Sequence, residues 1–141
     1  MKNQYKSASG AFHSFIKLRE YEVEKRCSKF GSLHPLVAES LTSLGLAYHH
    51  VTNEHEKALN CHLAAAHILY THGVESDKKK IAIAVTKTDI GNVLWALGEH
   101  EKASLSFTEA LSILRSANLG SNHPRVISVE NRLQLILRQS I

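Results

Sequence analysis

The chain is poor in several residue types, and each shortage excludes a class of protein. Its 141 residues include two cysteines, two prolines and one tryptophan. Two cysteines without a CxxC spacing exclude a disulfide scaffold and favour reduced thiols in a cytosolic protein. Few prolines, together with 43% hydrophobic residues, are typical of a folded helical protein and not of a disordered one.

The sequence also lacks an apolar run of the roughly twenty residues that a membrane-spanning helix needs. Its first five residues contain no apolar core of a secretion signal. We therefore expect a cytoplasmic protein without a membrane partner. The formal net charge of +4 lies in the first thirty residues, which hold seven Lys and Arg against three Glu. Because the glutamates are interleaved with the cations, the pattern favours a salt-bridged surface, and we do not expect nucleic-acid binding.

A repeated pentapeptide organises the rest of the chain. Glu-His-Glu-Lys-Ala occurs at residues 54–58 and again at 99–103, an offset of 45. The second copy lies in a helix-turn-helix pattern, with small Gly91 and Ala103 where two antiparallel helices would touch and Gly98 at the turn. A fixed period of this length is typical of solenoids, whose helical hairpins stack because none can bury its apolar face alone.

The period predicts one domain, residues 1–141, with an all-α fold: a right-handed superhelix of antiparallel helix pairs. We expect a frayed N-terminus, a half repeat, two complete repeats and a terminal capping helix, at residues 1–9, 10–33, 34–77, 78–122 and 123–141. The helices are expected at about 15–30, 35–51, 54–72, 81–97, 100–117 and 124–138. A His-Pro dipeptide opens two of them, and proline is tolerated in a first turn because its missing N–H costs nothing there.

Two stretches carry a family resemblance. Residues 41–48 read L-x-x-L-G-x-x-Y, and residues 90–111 read I-G-x-x-L-x-x-x-G-x-x-x-x-A-x-x-x-F-x-x-A-L. These patterns resemble tetratricopeptide repeats. The longer unit, which opens with His-Pro and closes with Leu-Gly, resembles the variant of about 42 residues in kinesin light chains. The resemblance covers nearly everything from Gly10 onward. It implies a protein-protein interaction module, an adaptor or scaffold, that binds an extended peptide or a partner helix in the concave groove lined by the first helix of each pair.

The helical register predicts which side chains line that groove. With Leu44, Ile90 and Leu133 as equivalent inner positions, the residues two and five positions before and after each of them face the concave side. They are Glu39, Thr42, Leu46 and His49, then Val85, Thr88, Asn92 and Trp95, then Ser128, Asn131, Leu135 and Arg138.

Each residue type in this set suits a different part of a peptide. The carboxamides of Asn92 and Asn131 suit a peptide backbone, Trp95 and Leu135 an apolar side chain, and Arg138 a carboxylate. Trp95 has an alternative interpretation, in which it simply packs against a neighbouring helix.

The predicted groove differs from that of the family members with a carboxylate clamp. Those members carry Lys and Asn in the first helix, where this chain has Thr42 and Leu46, so that only Asn92 matches their pattern. We therefore do not expect capture of a chaperone C-terminal tail. The strongly basic groove that kinesin light chains offer to acidic cargo is also not evident.

The ten histidines call for a comparison with known metal sites. Nothing resembles H-E-x-x-H, and the nearest pair, His62 and His67, is five residues apart and therefore turned around the helix. Cys61 beside His62 cannot form a nucleophile pair, because adjacent helical residues point about 100° apart. We therefore expect no metal, no cofactor and no enzymatic activity.

The sequence leaves a second function open. The first helix, a degenerate half repeat, and the last helix, which has no successor, each have an unpaired flank. The chain could therefore be a structural subunit that forms a homodimer or stacks into a larger assembly. A mass determination across a dilution series would separate this function from peptide binding.

Overall fold

The computed structural model describes the backbone of residues 2–139 and the side chains of residues 10–139. This part of the chain holds six α-helices and no strand, so the predicted all-α class is confirmed. The helices are α1 (Lys2–Phe30), α2 (Pro35–His50), α3 (His55–Thr71), α4 (Asp77–Ala96), α5 (His100–Ser116) and α6 (Pro124–Gln139). The bounds of α2, α3, α5 and α6 agree with the predicted bounds to within one residue.

Two helices begin earlier than predicted. α1 starts at Lys2 and not near residue 15, so the segment expected to fray is helical from its second residue on, while Met1 lies outside the described residues. Gly10 does not interrupt the helix, since one glycine costs only about 1 kcal/mol relative to alanine. No proline precedes it to add a stronger stop.

α4 starts at Asp77 and not at residue 81. The Ser76 side chain caps it by accepting a hydrogen bond from the backbone N–H of Lys79 at 3.1 Å. Asp77 adds a negative charge to the first turn, where the helix dipole favours anions. This local cap explains how three consecutive lysines fit into the beginning of a helix.

Left-handed backbone conformations end the helices where the sequence predicted. Gly31, Gly73 and Gly98 have φ of 92°, 78° and 80°. Asn53 replaces a turn glycine with φ of 54°, as expected of the residue type that tolerates this region best after glycine. Asn118, at φ of 64°, takes the same role after α5.

The chain divides into two compact units, Met1–Ile68 and Leu69–Ile141. In the first unit α1 packs on α2, and Tyr48 donates a hydrogen bond to Glu20 Oε1 at 3.1 Å. α3 lies close to α2 at Gly45, where a Cβ atom would lie 2.8 Å from Cε1 of His62. Only glycine at that position allows the ring to lie against the α2 backbone.

The second unit is built on α4, α5 and α6. A Cβ atom on Gly91 of α4 would lie 2.5 Å from Cε1 of Phe107, so the predicted close approach of these two helices at Gly91 is confirmed. Ala103 and Ala110 of α5 are fully buried, as expected for the seam of the hairpin. Lys87 and Glu109 join the same two helices through an ion pair of 2.6 Å.

None of the helices described, from Lys2 to Gln139, is long and apolar enough to cross a bilayer.

Candidate ligand groove between α4 and α6

In the second unit, α4 and α6 enclose a cavity of about 310 Å³. Four of the predicted groove residues lie in its wall: Val85, Thr88, Asn92 and Ser128. The rest of the wall consists of Ala84, Asp89, Leu114, Pro124, Arg125, Val129 and Arg132. Part of the predicted groove set therefore lies together, around a space that is large enough for one side chain of a ligand.

Arg132 of α6 forms the hydrogen bond that joins the two helices across this cavity. Its Nε donates to Asn92 Oδ1 at 2.7 Å, and its Nη1 donates to the backbone oxygen and the Oγ of Ser128 at 3.2 and 2.5 Å. Arg132 was not among the residues predicted from the sequence to line the groove. Its position four residues after Ser128 could have indicated it, because residues four apart lie on one helix face and Ser128 was predicted to line the groove.

The hydrogen bond to Arg132 changes what Asn92 can offer to a ligand. Its carboxamide oxygen is already an acceptor for α6, whereas its nitrogen has no hydrogen bond to any described residue. A carboxamide nitrogen carries two donors. Asn92 can therefore donate into the cavity while its oxygen fixes the position of Arg132.

Asp89 places a carboxylate in the same wall, where half of the other side chains are apolar. Burial raises the pKa of this carboxyl group to about 6, and the positive charge of Arg132 opposes that rise. The described residues give Asp89 neither a hydrogen bond nor an ion pair. Sequence reasoning missed it because a single acidic residue in a helix carries no motif.

The other predicted residues of α6 do not line the cavity. Asn131, Leu135 and Arg138 are exposed. The side of α6 that faces α4 contains Val129 and Arg132, and the next residue along a helix points about 100° away, which turns Asn131 outward. At the far end of α4, Trp95 is half-buried and donates from Nε1 to Gln139 Oε1 at 3.3 Å. This contact agrees with the alternative in which Trp95 packs against another helix.

The predicted groove residues of the first unit lie on α2. Glu39 and Leu46 are exposed, and the Thr42 hydroxyl donates to the Ala38 carbonyl at 3.0 Å. His49 contacts the first residue of α3, with its Nδ1 3.0 Å from Nδ1 of His55. Burial lowers the pKa of His49, and the nearby His50 and His55 lower it further.

His62, considered above as a metal ligand, lies in the core of the first unit. The side chain is fully buried, and neither ring nitrogen has a hydrogen-bond partner among the residues that the structure describes. Burial lowers the pKa of His62 to about 4, with smaller contributions from His49 and His50. Burial, followed by the charge of Glu20, raises the pKa of Cys61 to about 11, so its sulfur stays a protonated thiol. Within the described part of the chain, no three His, Cys, Asp or Glu side chains are arranged to hold a metal ion.

No known family model and no curated protein matches this chain. The resemblance to tetratricopeptide repeats therefore rests on the residues themselves and their 45-residue offset.

Proposed function

We propose that the protein is a cytoplasmic, non-enzymatic interaction module of the tetratricopeptide type, which binds an extended peptide or a partner helix. The observation that carries this proposal is the cavity between α4 and α6. Its wall includes Val85, Thr88, Asn92 and Ser128, which the repeat register assigns to the ligand-facing side.

The packing of the two units supports a common repeat. Gly45 lies against the His62 ring in the first unit, and Gly91 lies against the Phe107 ring in the second. The two aromatic positions are 45 residues apart, the same offset as the repeated pentapeptide. The same glycine-to-ring contact therefore occurs in two helix pairs. Repeat proteins require such recurrence, because each repeat must present the same stacking surface to its neighbour.

The cavity offers the chemistry that a peptide needs. The nitrogen of Asn92 is a donor for a backbone carbonyl, the Asp89 carboxylate is an acceptor, and Val85 and Val129 provide apolar contact. An extended peptide rises about 3.3 Å per residue, and packed helices lie about 10 Å apart, so one ligand residue in three would meet a new helix.

The test is a selection from a random phage-displayed peptide library, followed by calorimetric titration of the selected peptide. Asn92→Ala should weaken binding by roughly 1–3 kcal/mol, since it leaves a desolvated backbone group of the peptide without a partner. Lys102→Ala is the control, because Lys102 is exposed and forms only a long ion pair of 3.9 Å with Glu99. If Lys102→Ala abolishes binding and Asn92→Ala leaves it unchanged, the ligand does not use this groove.

One observation favours a second function, self-association through α1. Four apolar side chains at three-residue spacing on this helix are exposed: Phe12, Phe15, Leu18 and Tyr21. Consecutive members of this set lie about 60° apart around the helix, so Phe12 and Tyr21 face opposite sides. A second copy of the chain could cover the side that carries Phe15 and Leu18. We expect mass photometry across a dilution series to show a concentration-dependent dimer that Leu18→Lys converts to a monomer. A wild-type protein that is monomeric at every concentration would contradict this alternative.

A further inference from the structure

We propose that Asp89 makes the cavity between α4 and α6 selective for a ligand that inserts a basic side chain, lysine or arginine. This inference rests on the proposed function and names the chemistry of the ligand residue that enters this part of the groove.

The surroundings of Asp89 disfavour a solitary charge. Its neighbours in the cavity wall include Ala84, Val85, Leu114 and Val129, which cannot hydrogen-bond to a carboxylate through their side chains. Asp89 is half-buried, so its carboxylate has lost part of its water without gaining a hydrogen bond from the described residues, which is costly to the folded protein. A cationic group of a ligand would therefore lower the free energy of the Asp89 carboxylate, because it would supply the hydrogen bond that the carboxylate lacks.

The nearest cation does not fill that role. The Arg132 guanidinium uses Nε for Asn92 and Nη1 for Ser128, at distances of 2.5 to 3.2 Å. Asp89 itself has no hydrogen bond or ion pair within the described chain, and Arg132 acts on it only through its charge at longer range. Arg125, the other cation in the wall, is exposed, so solvent screens its charge.

A basic side chain supplies what the cavity lacks. Its long apolar stem can lie along Val85 and Val129 while its ammonium or guanidinium group donates to Asp89, as such side chains do elsewhere in proteins. A cavity of about 310 Å³ has room for one such side chain. An acidic side chain could reach Nη2 of Arg132, which donates to no described residue, but it would then meet the like charge of Asp89 in the same wall.

The titration of Asp89 gives the binding a pH dependence. The ionisable groups in the cavity wall are Asp89, Arg125 and Arg132, and only the carboxyl group changes its charge between about pH 5 and pH 8. With its pKa at about 6, the ionised fraction of Asp89 falls about fourfold between pH 7.5 and pH 5.5. Affinity for a basic side chain should fall by the same factor.

The experiment uses the full chain and four pools of short, acetylated and amidated random peptides. The pools share one fixed central position, which is Lys, Arg, Glu or Leu. By fluorescence anisotropy, wild type should bind the Lys and Arg pools about tenfold more tightly than the Leu pool, as expected for a charge-assisted hydrogen bond in a partly buried site. Asp89→Asn should remove this preference. Asp77→Asn is the matched control, because it removes the same charge from the exposed first turn of α4.

The outcomes separate the two proposals. If wild type binds all pools alike, or prefers the Glu pool, the assignment of Asp89 is wrong while the groove remains a peptide site. If no pool binds to wild type, the proposed function fails and this inference fails with it. A preference that survives in Asp89→Asn also overturns the inference. Because that result depends on folded protein, circular dichroism melts of Asp89→Asn accompany the titrations, and the fourfold pH effect on wild type tests the inference without any substitution.

Discussion

Replacing His62 by phenylalanine should stabilise the protein, and the gain should grow as the pH falls. His62 is fully buried against Gly45, and within residues 10–139 both of its ring nitrogens lack a hydrogen-bond partner. Phe107 lies in the same way against Gly91, so a phenylalanine ring already fits this kind of contact elsewhere in the chain. Removing buried, unsatisfied polar atoms should gain about 1–3 kcal/mol near neutral pH.

Acidification adds a second contribution, whose sign follows from the pKa. The folded protein lowers the pKa of His62 from 6.5 to about 4, so the unfolded chain binds more protons between these values. The contribution of His62 to the free energy of unfolding is therefore fully present above about pH 6.5 and is lost as the pH falls toward 4. By about pH 5 the loss from this one group is about 2 kcal/mol. His62→Phe cannot bind the proton, so it should escape this loss.

Urea unfolding followed by circular dichroism, at about pH 7.5 and about pH 5, measures both contributions. His67→Phe is the control, since it makes the same change at an exposed position of α3. The reasoning is refuted if His62→Phe and wild type lose the same stability on acidification. It is also refuted if His62→Phe is less stable than wild type near neutral pH. The nitrogen atoms of the ring would then stabilise the folded protein and not destabilise it.

Three further predictions follow from other contacts. Ala103→Leu should destabilise the protein by about 1–3 kcal/mol, because Ala103 is fully buried where α4 and α5 meet. Ser112→Ala, at an exposed position of α5, should change the stability little. Thermal melts compare the two variants. Asn92→Ala should cost about 1 kcal/mol of stability in urea unfolding as well as ligand affinity, since Arg132 loses an acceptor, and an unchanged midpoint would contradict the role of Arg132 in joining α4 to α6. Nucleic acid should bind weakly, with an affinity that falls by orders of magnitude between low and physiological salt in filter-binding assays, because the net positive charge lies in the first thirty residues, where glutamates are interleaved with the cations. Tight binding that survives physiological salt would overturn this view.

The helix bounds were predictable because their signals are local. Gly31, Gly73 and Gly98 end helices by their own backbone freedom, and Asn53 does so as the next best residue. The start of α1 was missed for the same reason, since neither a proline nor a strong cap marks it in the sequence. Whether the helices form a superhelix, and whether the repeat boundaries hold, stay predictions.

The site was only partly predictable, because its chemistry depends on contacts between helices. Helical register assigned Asn92 and Ser128 to the ligand-facing side, and both lie in one cavity wall. The same register could not show that Arg132 would occupy the Asn92 oxygen, or that Asp89 would be left without a partner. Both facts depend on the distance between α4 and α6, which no residue spacing within one helix specifies.

The two units differ on the side that the register assigns to a ligand, and this difference bears on where the proposed ligand selectivity would arise. In the first unit, His49 is engaged with His55, the first residue of α3, so its ring nitrogen is already in contact with another side chain. In the second unit, the residues around Asn92 surround an open space, and within residues 10–139 the Asn92 carboxamide nitrogen and the Asp89 carboxylate have no hydrogen-bond partner. A ligand gains most where polar groups still lack partners, because each new hydrogen bond there replaces a desolvated group with a satisfied one. Selectivity should therefore depend more on the residues of α4 and α6 than on those of α2.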